Sequence, residues 1–395
     1  MSSDPVVIVG AARTAMGGFQ GDFKDLTAPQ LGAAAIGAAL QRSGVQPAEV
    51  DEVLMGCVLP AGLGQAPARQ AGFGAGLPDS VPATTVNKMC GSGMKAAMLG
   101  HDALMAGTAK VVVAGGMESM TNAPYLLEKA RAGLRMGHGK VMDHMFLDGL
   151  EDAYDKGRLM GTFAEDAAQA LQFTRQAQDE YAIESLRRAK KAIATGAFER
   201  EVVPVKVQGR KGETTIAVDE QPGKADEAKI PTLKAAFRKD GTVTAANASS
   251  ISDGGAALVL MRRSDATKRG FKPLATVVGH AGHARAPAWF TTAPVGAMQA
   301  LFARTGWQAK DVDLYEINEA FAVVTLAAMR ELGLPHDKVN VHGGACALGH
   351  PIGCSGARIL VTLLAALEKY DLKRGVASLC IGGGEATAVA IERVR

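Results

Sequence analysis

The sequence contains little of what marks several common protein classes. Its 395 residues include only five cysteines, an odd and small number that argues against a disulfide framework and indicates free thiols in a reducing, cytoplasmic compartment. Basic residues exceed acidic ones by 43 − 40 = 3, too small an excess for a dedicated nucleic-acid binder. No apolar run approaches the roughly 20 residues of a membrane helix, and the N-terminus lacks the features of a signal or transit peptide.

Several motifs that indicate a cofactor or a known nucleophile are also missing. The sequence has no phosphate-binding loop, no dinucleotide fingerprint G-x-G-x-x-G, no zinc-protease motif H-E-x-x-H and no hydrolase motif G-x-S-x-G. We therefore predict no bound cofactor.

What the sequence does contain is a repeated pattern of strands and helices. Hydrophobic residues make up 47%, and apolar runs alternate with helical stretches at both ends, which predicts parallel strands covered on both faces. Landmarks recur in order at offsets of roughly 262–269 residues, as when Ser92–Lys95 and Ser355–Arg358 each open a helix, so we infer a duplication.

The repeat also predicts three parts of the chain. These are a first α/β half, residues 1–120 plus 248–271; an inserted loop domain, residues 121–247; and a second α/β half, residues 272–395. Predicted elements that bear on function are the helices Gly91–Ala106, Thr174–Thr195, Glu319–Leu332 and Ser355–Lys369 and the strand Lys338–Val341.

Four residues at predicted strand ends or in glycine-rich loops are candidates for chemistry. Cys90 lies just before a helix, whose positive N-terminal end favours a thiolate. His350 lies in the glycine-rich loop 343–356, where a neutral imidazole can accept a thiol proton. Cys380 ends a strand before Gly382–Gly384, whose N–H groups can stabilise an oxyanion. Asn318 follows another strand, either as a site residue or as a helix N-cap.

A metal site is the alternative for the same region. His342, Cys346, His350 and Cys354 recur at every fourth position and are suitable ligand types. That spacing aligns ligands only on a helix, and the glycines and Pro351 disfavour one, so we predict no metal there.

Five segments together resemble the thiolases, and within them the acetyl-CoA acetyltransferase branch. The segments are Asn87–Ala96, Ala114–Met120, Asn318–Ala322, Gly349–Gly353 and Cys380–Gly384. The resemblance spans essentially the whole chain and implies a duplicated α/β fold, two similar βαβ halves in layers with an inserted loop domain. It further implies a homotetramer, a dimer of dimers, with acyl-CoA and coenzyme A as substrates rather than cofactors, and no nucleic-acid or membrane partner.

The resemblance also implies roles for individual residues. Cys90 would be the acylated nucleophile and Cys380 the acid/base of the second step. His350 would activate Cys90 and form one oxyanion hole with a water on Asn318. The other hole would consist of the N–H groups of Cys90 and Gly382. Ser249 would contact the pantetheine arm, and the acyl pocket would include Leu159, Met160 and Phe321.

Three positions depart from the family pattern. Leu159 stands where short-chain members often carry histidine, which bears on the acyl chain length. His342 replaces a common asparagine, and Ala386 replaces a common glycine near Cys380.

For the anionic nucleotide of coenzyme A the loop domain offers basic residues among interspersed acids: Lys206, Arg210, Lys211, Lys224, Lys229, Lys234, Arg238 and Lys239.

Two other functions remain open at this level. A ketosynthase of the same fold would use one cysteine with two histidines, or with a histidine and an asparagine, and would need no thiol at Cys380. A non-catalytic acyl-CoA or lipid carrier would tolerate the loss of Cys90, His350 or Cys380. The physiological direction and the pathway do not follow from the sequence.

Overall fold

The structure is a computed structural model that describes residues 4–209 and 212–394. Its strands are β1 (Val6–Thr14), β2 (Gly17–Gly18), β3 (Glu52–Gly56), β4 (Ala83–Val86), β5 (Val111–Ser119), β6 (Tyr125–Leu127), β7 (Val141–Asp143), β8 (Val202–Val203), β9 (Val205–Gly209), β10 (Gly212–Ile216), β11 (Ser252–Arg262), β12 (Ala275–Ala284), β13 (Leu314–Ile317), β14 (Arg374–Ile381) and β15 (Glu385–Arg393).

The helices alternate with these strands, as the sequence predicts. They are α1 (Ala28–Ser43), α2 (Pro67–Gly74), α3 (Ser92–Ala106), α4 (Met160–Ala170), α5 (Arg175–Ala194), α6 (Glu220–Lys224), α7 (Arg263–Arg269), α8 (Ala293–Thr305), α9 (Ala322–Leu332), α10 (Ala345–Leu348) and α11 (Ser355–Lys369). Within the described residues no helix combines the length and apolar character that a membrane crossing requires.

One continuous sheet contains both halves of the duplication. Its strand order is β13-β14-β15-β12-β1-β11-β5-β3-β4, and a short antiparallel pairing of β1 with β12 joins the halves. The predicted parallel arrangement is only partly correct. Strands β3, β4 and β5 are parallel, as are β13 and β14, but β11 and β15 run antiparallel to their neighbours. For β15 the reason is local, because β15 follows β14 through a tight hairpin.

Helices α3 and α11 pack against each other near their N-termini, where both begin with Ser-Gly. A Cβ atom on Gly93 would lie 2.8 Å from the Ala357 nitrogen, and one on Gly356 would lie 2.4 Å from the Met94 nitrogen. Only glycine permits this approach, and the crossing brings the chain entering α3 close to the chain entering α11.

The segment between β5 and β11 contributes β6–β10 and α4–α6. The predicted helix Thr174–Thr195 is confirmed as α5, and Thr174 caps it by accepting a 3.1 Å hydrogen bond from the Ala177 N–H. The exact boundaries of the three parts stay a prediction.

Two predicted elements of the second half differ in the structure. Helix α9 begins at Ala322 rather than Glu319, because the preceding residues form an extended loop with Phe321 as N-cap. The predicted strand Lys338–Val341 is absent. A single bridge joins Val339 to Tyr315, and Asn340 adopts a φ of 49°, which ends any extended run.

Candidate active site

A mostly apolar cavity of about 400 Å³ lies where the loop domain meets both halves. It collects every site residue predicted from the sequence except Cys380, which is buried, and Asn318, which contacts the lining residue His350. The lining residues include Cys90, Leu159, Met160, Ser249, Phe321, His350 and Gly382, together with Phe146, Phe237 and Phe290. The strand ends of both halves therefore meet at one site, as the duplication predicts.

Cys90 lies in the turn between β4 and α3 and is half-buried. The preceding Met89 has a φ of 48°, an uncommon conformation for a residue with a side chain. Ser92 holds this turn, because its hydroxyl accepts from the Lys88 N–H at 2.8 Å and donates to the Met89 carbonyl at 2.6 Å. A Cβ atom on Gly91 would lie 2.4 Å from Ile381 Cδ1, so this glycine lets β14 approach the nucleophile.

The Cys90 thiol is neutral in the free protein, contrary to the expectation of a favoured thiolate. Burial raises the pKa of Cys90 to about 11, although hydrogen bonds from the N–H groups of Gly382 and of Cys90 itself oppose the rise. Desolvation thus outweighs these two hydrogen bonds. The same two N–H groups are those assigned to an oxyanion hole, and they converge on the sulfur.

His350 lines the same cavity as Cys90 and is a neutral base. Burial, with a smaller contribution from the charge of Arg358, lowers the pKa of His350 to about 3. The Ser355 hydroxyl donates to the Pro351 carbonyl at 3.0 Å and lies 2.6 Å from His350 Nδ1. Because the hydroxyl has one hydrogen, it accepts from Nδ1–H, which leaves Nε2 with the lone pair for a proton.

Asn318 contacts the same imidazole edge. Its Nδ2 lies 3.4 Å from His350 Nε2, and its Oδ1 is buried with no hydrogen-bond partner in the described part of the chain. Since the N-cap of α9 is Phe321, Asn318 is not a helix cap, and its amide is available to a ligand.

Cys380 is fully buried in β14, directly behind the cavity wall. Its neighbours in an apolar cluster include Ala248, Phe290 and Phe321. Burial, reinforced by the nearby Cys90 sulfur, raises the pKa of Cys380 well above that of an ordinary thiol. Ala386 pairs with Cys380 across the hairpin, so its methyl group lies on the strand next to this thiol.

The remaining predicted residues shape the cavity wall. Leu159 is the N-cap of α4, and Met160 is the first residue of that helix. Phe321 packs edge-on against Phe237 and Phe290, with ring centroids 6.1 and 6.4 Å apart. The Ser249 hydroxyl donates to the Ala320 carbonyl at 3.0 Å, which ties the first half of the chain to the Asn318 loop.

Two buried carboxylates that hold the site were not singled out from the sequence. Glu319 accepts hydrogen bonds from Tyr181, Ser185 and Asn340 at 2.7–2.8 Å, which fixes the loop that carries Asn318. Glu118 accepts from the N–H groups of Val58, Leu59 and Gly353, the last at 2.8 Å. Glu118 thereby fixes the loop that carries His350. The signal available in the sequence was that Glu118 lies within Ala114–Met120, one of the five segments that resemble the thiolases.

The alternative metal ligands do not converge. His342 contacts the Tyr370 hydroxyl, Cys346 contacts the Glu319 carbonyl, and Cys354 is buried in the apolar core.

The basic residues of the loop domain are partly paired with acids. Lys206, Lys224 and Lys229 have acidic partners, as does Arg238. Lys234 and Lys239 are exposed, and Arg210 and Lys211 lie outside the described residues.

Comparison with known proteins agrees with this geometry. The description "Thiolase, N-terminal domain" matches residues 6–264, and "Thiolase, C-terminal domain" matches residues 271–393. The chain belongs to the thiolase family.

The relatives of this thiolase span its full length. Acetyl-CoA acetyltransferase 2 of Arabidopsis thaliana is 53% identical over 98% of this chain and 96% of its own. Acetyl-CoA acetyltransferase of Cupriavidus necator is 50% identical over 98% of this chain and 99% of its own. The crystal structure of the Bacillus anthracis acetyl-CoA acetyltransferase superposes with a TM-score of 0.96 at 41% identity and covers 99% of both chains. The predicted family and fold class are thus confirmed.

Proposed function

We propose that this thiolase is an acetyl-CoA C-acetyltransferase that reversibly converts two acetyl-CoA into acetoacetyl-CoA and free coenzyme A. One observation carries the proposal. A thiol, a neutral imidazole and a backbone N–H from Cys90, His350 and Gly382 meet at one apolar cavity, with a second thiol buried behind it. The full-length relatives named as acetyl-CoA acetyltransferases support the same activity.

The first half-reaction transfers an acyl group to Cys90. His350 Nε2 takes the thiol proton as the sulfur attacks the thioester carbonyl, so the thiolate exists only as it reacts. The N–H groups of Cys90 and Gly382, which converge on that sulfur, stabilise the oxyanion. Coenzyme A leaves with the proton from His350, and the acetyl group stays on Cys90.

The second half-reaction forms the carbon–carbon bond. After coenzyme A has left, Nε2 of His350 accepts the proton of the Cys380 thiol. The Cys380 thiolate then removes a proton from the methyl group of the second acetyl-CoA, and the protonated Nε2 of His350 with the Asn318 amide stabilises the enolate oxygen. The carbanion attacks the acetyl-Cys90 carbonyl and expels the Cys90 sulfur as product forms. His350 then returns its Nε2 proton to the leaving Cys90 thiolate, and Cys380 keeps the proton that it removed, which restores both thiols.

The presence of Cys380 favours this assignment over the alternatives. A ketosynthase on this fold has no use for a thiol at that position, and a non-catalytic carrier has no use for a base next to Cys90. The aromatic side chains of the cavity suit the pantetheine arm and the acyl chain, and Lys234 and Lys239 flank the lining residues Ala236 and Phe237 on the loop domain.

We include in the proposal a homotetramer and a cytoplasmic location. Large apolar side chains are exposed around the hairpin of β6 and β7, with Tyr125 68%, Met136 97% and Val141 63% exposed, which is typical of a protein–protein interface. All five cysteines are free, which suits a reducing compartment. Light scattering of the wild type and of Met136→Asp tests the assembly.

Mass spectrometry after incubation with acetyl-CoA tests the assigned nucleophile. We expect an acetyl group on the peptide that contains Cys90, and stable acetylation of Cys380 instead would contradict the proposed roles. Thiolysis assays with 3-ketoacyl-CoA esters of increasing chain length then define the acyl range. Absence of both acetylation and thiolysis would reject the enzymatic proposal in favour of a carrier.

A further inference from the structure

A cluster of three potential metal ligands lies at the opposite end of α3 from the nucleophile. His101 and Asp102 lie in the last turns of α3, and His280 lies on β12. Helix geometry places His101 about 16 Å along the chain direction from Cys90. The cluster therefore has no part in the acyl-transfer site.

The donor atoms of the cluster already point at one another. Asp102 Oδ1 lies 3.2 Å from His101 Nδ1 and 2.9 Å from His280 Nε2. The two imidazoles meet edge-on with ring centroids 4.9 Å apart. One ligand atom from each residue lies within 4.8 Å of the other two. Around a tetrahedral zinc ion with bonds of about 2.0–2.1 Å, neighbouring ligand atoms are roughly 3.3 Å apart, so small side-chain shifts suffice.

The surroundings leave one nitrogen of His280 for a ligand. Its Nδ1 is enclosed and has no partner in the described part of the chain, because the ring packs beside Ala97, Met98 and Val277. Its Nε2 projects from this apolar wall toward Asp102, whose side chain is 52% exposed. Solvent can therefore reach the cluster and fill a fourth coordination position.

We propose that His101, Asp102 and His280 bind one divalent transition-metal ion, with zinc as the favoured occupant. Two imidazoles and one carboxylate suit zinc and disfavour magnesium or calcium, which prefer oxygen ligands. Two ligands come from the first half of the chain and one from the second, so the ion cross-links α3 to β12. Because binding requires the folded arrangement, the metal stabilises the native protein.

Cobalt titration of the chelator-treated, reduced protein tests the proposal, with zinc as competitor. His280→Gln removes an imidazole ligand but keeps an N–H donor for Asp102, and His283→Gln on the same strand is the matched control. We expect wild type and His283→Gln each to bind one cobalt ion per chain that His280→Gln does not retain. The affinity of His280→Gln for this ion should be at least about ten-fold lower. The cobalt spectrum should lack a thiolate charge-transfer band, which separates this site from the cysteines.

Thermal unfolding supplies a second measurement. Zinc should raise the midpoint of wild type and His283→Gln but not of His280→Gln. Asp102→Asn, at a largely exposed position, repeats the comparison if His280→Gln does not fold. Three results would each overturn the proposal: equal cobalt binding by all variants, no binding by wild type, or a spectrum dominated by thiolate ligation. Asp102 would then be a hydrogen-bond bridge between two histidines.

Discussion

Replacing Cys380 with alanine separates the two half-reactions of this thiolase. The lining of the cavity explains why nothing substitutes for the lost thiol. Cys90 and His350 are the titratable side chains among the lining residues of the described chain, and in the proposed mechanism Cys90 carries the acetyl group when the second substrate reacts. His350 is then needed for the enolate oxygen, so the α-proton has no base.

The expected loss follows from the usual contribution of a positioned acid or base. General acid–base catalysis contributes about 10²- to 10⁴-fold, or about 2.7–5.4 kcal/mol of transition-state stabilisation at about 1.36 kcal/mol per decade. Condensation by Cys380→Ala should fall by that factor, whereas acetylation of Cys90 should stay close to the wild-type rate. Cys90→Ala should abolish both steps, and His350→Ala should impair both.

Rapid-quench measurement of Cys90 acetylation beside steady-state condensation checks this prediction. Cys354→Ala is the matched control, because it also removes a buried thiol, but one in the central apolar core rather than in the cluster behind the cavity wall. If Cys380→Ala condenses acetyl-CoA at near wild-type rate, the two-cysteine mechanism is wrong and a ketosynthase-like mechanism replaces it. If Cys354→Ala loses condensation equally, a packing defect explains the result.

Three further predictions concern the thiol, the acyl pocket and substrate charge. Because the pKa of Cys90 is raised to about 11, its alkylation by iodoacetamide in the free enzyme should accelerate about ten-fold per pH unit from pH 6 to 9; a rate independent of pH would indicate a thiolate–imidazolium pair instead. Leu159→His should narrow the chain-length range in thiolysis assays, lowering kcat/KM for 3-ketohexanoyl-CoA relative to acetoacetyl-CoA by about ten-fold or more, since apolar contact area is lost. Leu159→Met should leave this ratio of kcat/KM values unchanged. Equal ratios in the two variants would show that Leu159 does not determine the chain-length range. The KM for acetyl-CoA should rise with ionic strength while kcat changes less, because salt screens exposed charges over about 8–10 Å. Lys234→Gln should raise this KM at low salt. Lys206→Gln should not raise it, because Lys206 is already paired with Glu213.

Much of the fold could be predicted because its signals are local. Helix α11 has the predicted bounds, and α3 ends at Gly107 in the left-handed conformation, where the sequence places a stop signal. The antiparallel direction of strands β11 and β15 was not predicted, because a fully buried strand has the same apolar composition in either direction. The strand predicted at Lys338–Val341 failed because Asn340 turns inward, and its side chain bonds to both backbone groups of Ile317.

The site could be located from the sequence, but its electrostatics could not. Cys90, His350 and Cys380 were identifiable because glycines surround them at strand ends, where a ligand can approach the backbone. The expectation of a thiolate at Cys90 was wrong for the free protein, since desolvation depends on the residues of the loop domain that close over the cavity. The roles of Glu118 and Glu319 likewise depend on N–H and O–H donors far away in the sequence.

The duplication explains why the site needs both halves of the chain. By the alignment of Ser92 with Ser355, the position that corresponds to Cys90 in the second half is Gly353. Gly353 has no nucleophile to offer, and its N–H instead donates to Glu118 of the first half, which holds the His350 loop in place. In return, Gly382 of the second half donates its N–H to the Cys90 sulfur. Each half therefore completes the other's strand end, and neither half alone contains both the Cys90 thiol and the His350 imidazole.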